Sequence, residues 1–115
     1  MSNDRELLEL AAKAAGIDYR PQSGYRVTGV GETGMPLMEK WNPLTDDGDA
    51  LRLAVKCNID FYQGDDDGPA AYAGYYTIKR QRFCVERHED SGTDPYAATR
   101  RAIVRAASEI GRTIK

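Results

Sequence analysis

The chain of 115 residues has the length of one domain and can bury one modest hydrophobic core. Its 41% apolar and 30% charged content excludes the disordered class. The net charge of −2 excludes a generally basic binder of nucleic acid or membranes, and no apolar run approaches the ~20 residues that span a bilayer.

The opening Met1-Ser2-Asn3-Asp4-Arg5-Glu6 lacks the basic-then-apolar layout of a signal peptide, so the expected location is the cytoplasm. Residues 1–16 are predicted as a helix. Asn3 is its expected cap, Glu6 closes a capping box, and Gly16 supplies the left-handed stop. Leu7, Leu8, Ala11, Ala14 and Ala15 form its apolar stripe.

Residues 17–40 read as an irregular segment, broken by Pro21, Gly24, Gly29, Gly31, Gly34 and Pro36. Only residues 25–28 suggest a short strand, and residues 36–40 a short extended piece or turn.

Residues 41–115 read as a helix–strands–helix core. Trp41-Asn42-Pro43 leads into a helix capped at Thr45 or Asp46, with acids in its first turn where the helix dipole favours them. Its expected buried side is Ala50, Leu51, Ala54 and Cys57. Three strands follow, near residues 59–63, 72–79 and 83–87. The last helix is announced by Asp94 as cap and Pro95 at its first position. Helical phase puts Tyr96, Thr99, Ile103, Ala106, Ala107, Ile110 and Ile114 on its buried face. Arg101, Arg105, Ser108 and Arg112 fall opposite, as an exposed stripe that extends toward Arg100. The expected class is α+β: one domain with an antiparallel meander of three to four strands, sandwiched or covered by three helices.

Chemistry-bearing patterns are sparse. Asp46-Asp47-Gly48-Asp49 and Asp65-Asp66-Asp67-Gly68 lack the alternating ligand spacing of a calcium loop, so no metal is expected. Cys57 and Cys84 are expected as free, largely buried thiols, and His88 is the only histidine. Cys84 and His88 in one strand would stand ~13 Å apart, too far for a nucleophile and its base. Gly29-Val30-Gly31-Glu32-Thr33-Gly34 is followed by Met35-Pro36 and not by a helix, so it is no dinucleotide fingerprint. No catalytic residues and no cofactor are expected.

Two surfaces remain as binding candidates. One is the arginine stripe of Arg100, Arg101, Arg105 and Arg112. The other is the pair Tyr75 and Tyr76, which must point to opposite sides of a strand, so that one of them approaches the surface. Trp41 is expected to be buried, fixing the angle at which the chain enters its helix.

The two blocks that begin at Trp41-Asn42-Pro43 and at Asp94-Pro95 resemble the small phage and prophage proteins grouped as the phage ABA sandwich domain. The resemblance covers about the last two-thirds of the chain. It implies helices on both faces of the sheet and a non-enzymatic accessory protein in the cytoplasm of a bacterial host. Such a protein would bind a host or phage macromolecule, with interference in a defence or regulatory system as its purpose. Two alternatives stay open: a nucleotide-signal binder that sequesters its ligand between the protomers of a homo-oligomer, and a double-stranded nucleic-acid module. The second rests on the helix–three strands–helix order of residues 46–113, which resembles the double-stranded RNA-binding domain.

Overall fold

A computed structural model describes residues 4–64, 68–76 and 80–114. The expected cap Asn3, the acids 65–67 and the end of the second expected strand, residues 77–79, lie outside the described residues. The fold is α+β, and the described residues form three α-helices and two three-stranded antiparallel sheets.

Helix α1 (Asp4–Ala15) ends at Gly16, whose φ of +69° supplies the expected left-handed stop. The segment expected to be irregular is instead a sheet. Strands β1 (Asp18–Arg20), β2 (Tyr25–Val30) and β3 (Pro36–Lys40) pair in chain order. Glycines that read as breaks serve as its turns: Gly24 and Gly34 take positive φ between strands, and the register slips between Val27 and Gly29 as at a bulge.

Helix α2 (Asp47–Cys57) starts at Asp46, whose side chain accepts from the Asp49 amide, and stops at Asn58 in the left-handed region. Its buried side is turned from the expected one. Leu53 is buried, Leu51 is exposed and Cys57 is half-buried. Strands β4 (Asp60–Gly64), β5 (Ala70–Tyr76) and β6 (Gln81–Arg87) then form the second sheet, in that order. A 3-10 turn at His88–Ser91 leads to α3 (Pro95–Arg112), capped by the Asp94 carboxylate with Pro95 in its first turn.

Helix α3 is the centre of the molecule. The β4–β6 sheet, α1 and α2 all pack against it. The single apolar face expected for it is therefore too narrow. Ala98, Ala102, Val104 and Ser108 are buried along with Ile103, Ala106 and Ala107, whereas Tyr96 and Ile114 at the ends are exposed. Small residues dominate because the neighbours approach closely. Ala71 and Ala73 of β5 are fully buried on the sheet side, and Gly111 lies against the main chain of α1 at Leu10.

Among the described residues no helix packs on the far face of the β4–β6 sheet. The expectation of helices on both faces is thus not met, since all three gather on one side around α3. Among the described residues no helix is long and apolar enough to cross a membrane.

Candidate functional site

The arginines of α3 do not form a solvated stripe. Arg105 reaches Glu86 of β6 at 2.6 Å and also donates to the Val85 carbonyl at 3.1 Å. Arg101 joins Asp4 of α1 at 3.0 Å and lies 3.8 Å from the same Glu86. Arg112 sits 3.6 Å from Glu6 and 3.5 Å from Glu109. Arg100 donates to the Leu44 carbonyl at 2.8 Å and to Asp47 at 2.6 Å. Phase placed Arg101, Arg105 and Arg112 away from Ile103, as expected, whereas Arg100 lies beside Ile103 on the side facing α2. Elements that pack around α3 on several sides then bring acids to each of them.

Glu86 is buried, so its charge needs these partners; a carboxylate so placed is retained only when paired and hydrogen-bonded. The four arginines tie α3 to α1, to β6 and to the start of α2.

The Trp41–Asp49 segment works in the same way. The Trp41 ring is 2% exposed and meets Tyr19 edge-on at 5.2 Å, as expected of a core residue. Asn42 donates its amide to Asp49 at 3.0 Å, and its side chain accepts from the Leu44 amide at 3.0 Å. Pro43 is fully buried, and buried Asp49 also receives Arg52 at 2.7 Å. These residues fold the chain's entry to α2, and Arg100 clamps that entry to α3.

Strand alternation separates Tyr75 from Tyr76 as expected. Tyr75 is buried on the inner face with Ala71, Ala73, Cys84 and Glu86, where burial pushes its phenol pKa up. Tyr76 points outward and is 58% exposed.

It does not stand alone. The register puts Tyr62 opposite Tyr72, Tyr72 opposite Val85, and Phe83 opposite Gly74, all on the outer face. Tyr62 and Tyr72 stack with centroids 5.0 Å apart, and Phe83 meets Tyr62 edge-on at 6.2 Å. Glycines let the rings lean across the strands. A Cβ at Gly64 would stand 2.5 Å from the Tyr72 ring, and one at Gly74 2.9 Å from the Phe83 ring. Tyr62 and Phe83 remain 48% and 46% exposed. The result is an aromatic surface on an open sheet face, with Asp60 and Arg87 at its corners. Arg87 is held by Glu89 at 2.9 Å.

Of this cluster only Tyr76 was expected as a binding residue from the sequence. The available signal was the alternation of Phe83 and Val85 with Cys84 and Glu86. Read as a binary pattern, it offers the apolar pair to the core. The structure turns it over, because Arg105 makes an inward Glu86 favourable.

The two thiols are free, Cys84 buried and Cys57 half-buried, and burial pushes both pKa values up, away from a reactive thiolate. His88 Nε2 lies 2.7 Å from Gln63 Oε1, and Gln63 donates onward to Thr99 at 2.7 Å, so the ring is spent on joining the 3-10 turn to β4 and α3. Among the described residues no group of three or more His, Cys, Asp or Glu is placed to hold a metal ion. The chain matches no family model, no curated protein and no solved structure.

Proposed function

We propose that this chain is a non-enzymatic binding protein that docks a partner protein on the outer face of the β4–β6 sheet. The observation that carries the reading is the uncovered cluster of Tyr62, Tyr72, Tyr76, Phe83 and Val85. Contiguous apolar surface of this kind on a small protein is usually an interaction site. Tyr and Phe are enriched in such sites because they cover much area at small entropic cost.

The charge pattern favours a protein over a polyanion. A nucleic-acid surface needs cations to neutralise phosphates, and the only cation that the strand register places on this face is Arg87, already paired to Glu89. In the setting that the sequence resemblance suggests, the partner is a host or phage protein. The chain would then act as a phage or prophage accessory protein in the host cytoplasm, with a defence or regulatory component as target.

Photo-crosslinking residues placed at Tyr76 and Phe83, with Glu9 as a distant control, test this in bacterial cells. The expected result is one discrete adduct with a foreign protein, formed from both face positions, absent from Glu9, and lost when Phe83→Ser is combined with the Tyr76 probe. Absence of any foreign adduct, or equal adducts from Glu9, would overturn the reading.

A further inference from the structure

We infer that β4 is a dimerisation edge, pairing antiparallel with β4 of a second copy to make one continuous six-stranded sheet. The two sheets expose four edge strands, and three of them carry a device that discourages pairing. β1 is only three residues long, with an Asp18–Arg20 ion pair along it. β3 begins with Pro36 and ends in Glu39 and Lys40. β6 has its Val85 carbonyl taken by Arg105.

β4 has none of these. Its five residues hold no proline, no lysine and no bulge against β5, and no described residue caps its free side.

Beside that free edge lies an apolar cleft of about 360 Å³ between α2, α3 and β4. Leu51, Phe61 and Tyr96 line it and are all exposed, Phe61 at 42%. A bare backbone edge next to an unfilled apolar cleft fits an incoming strand that brings alternate apolar side chains.

β4 itself can supply the strand, with Phe61 as its apolar side chain on the cleft side. With a two-fold axis at Tyr62, each Phe61 stands opposite the partner copy's Gln63 and both face the cleft. Tyr62 meets its own counterpart on the outer face, a favourable aromatic cross-strand pair. Asp60 then stands opposite a glycine, so no like charges face one another across the strands. One patch serves both copies, as an isologous interface requires.

Covering the edge and the exposed parts of Leu51, Phe61, Tyr62 and Tyr96 in both copies removes on the order of 1,000 Å² from water, the lower bound of a specific interface, so the dimer should be concentration-dependent. The pairing covers part of Tyr62 but leaves Tyr72, Tyr76, Phe83 and Val85 of the outer face open, and it sets the two outer faces side by side. It does not depend on the partner proposed above.

Sedimentation over a micromolar concentration series is expected to show a monomer–dimer equilibrium. Phe61→Lys should raise the midpoint by about tenfold or more, because its ammonium would enter the apolar cleft of the other copy. Phe83→Ser should leave the equilibrium unchanged while abolishing the foreign adduct, which separates this interface from the docking face. Tyr62→Cys provides the register test, since residues opposed across an antiparallel pair bring their Cα atoms ~4.5–5.5 Å apart, within disulfide range. Mild oxidation should link it rapidly between copies, and Val85→Cys on the same face should not link. A strict monomer, a dimer indifferent to Phe61→Lys, or failure of Tyr62→Cys to cross-link faster than Val85→Cys would overturn the inference.

Discussion

Gly111 of α3 lies so close to Leu10 of α1 that an added Cβ would stand 2.0 Å from the Leu10 carbonyl oxygen. The obstacle is backbone and cannot rotate away. Gly111→Ala would gain ~1 kcal/mol of helix propensity in an isolated helix. Here the two helices must separate, and overpacking of this kind costs ~1–3 kcal/mol or more. The variant should therefore be less stable in urea unfolding, against the propensity trend.

Trp41→Ala should cost ~3–5 kcal/mol, the range for a buried aromatic. Its 2% exposure and the edge contact with Tyr19 leave no solvent to refill the site. The check is the denaturation midpoint followed by circular dichroism, since the fluorescent residue is itself removed.

Arg105→Ala should destabilise more than an ordinary surface substitution. It leaves buried Glu86 with only Arg101, at 3.8 Å, and removes the bond to Val85. Complete loss of a buried ion-pair partner costs ~3–5 kcal/mol; Arg105 is itself partly exposed, so ~1–3 kcal/mol is expected. Glu86→Gln in the Arg105→Ala background should recover part of the loss, because it removes the stranded charge. No recovery in the double variant would show that Arg105 matters by packing alone.

Stability should be level through neutral pH and fall in alkali. Burial raises the pKa of Cys57 and Cys84, so both thiols hold their protons longer in the folded chain than in the unfolded one. Once pH passes the unfolded thiol value near ~8.5, the unfolded chain binds fewer protons and stability declines with rising pH. Tyr19 and Tyr75, also raised by burial, extend the decline toward the ~10 of a free phenol. Urea midpoints at neutral and alkaline pH measure this, and Cys84→Ala should flatten the first part of the slope.

Local signals in the sequence determined the helices of this protein. Gly16 stops α1, Asp46 caps α2, and Asp94 with Pro95 starts α3, because capping is settled within a few residues of chain. Strand alternation likewise separated Tyr75 from Tyr76. Residues 17–40 were not legible as a sheet, since glycine and proline turns and sheet-breaking loops carry the same residues. Only pairing between distant positions, such as Arg26 with Glu39, tells them apart.

Tertiary structure decided what each face would meet. Periodicity shows that Arg101 and Arg105 point away from Ile103, yet it says nothing of the Asp4 and Glu86 that neutralise them from elsewhere in the chain. Ser108 was expected among the exposed residues and is buried, because α3 is packed by the sheet, α1 and α2 rather than by one neighbour. The aromatic outer face is the converse. Its residues alternate as a buried strand row would, and they stay exposed because every helix able to cover them is gathered on the other side of the sheet.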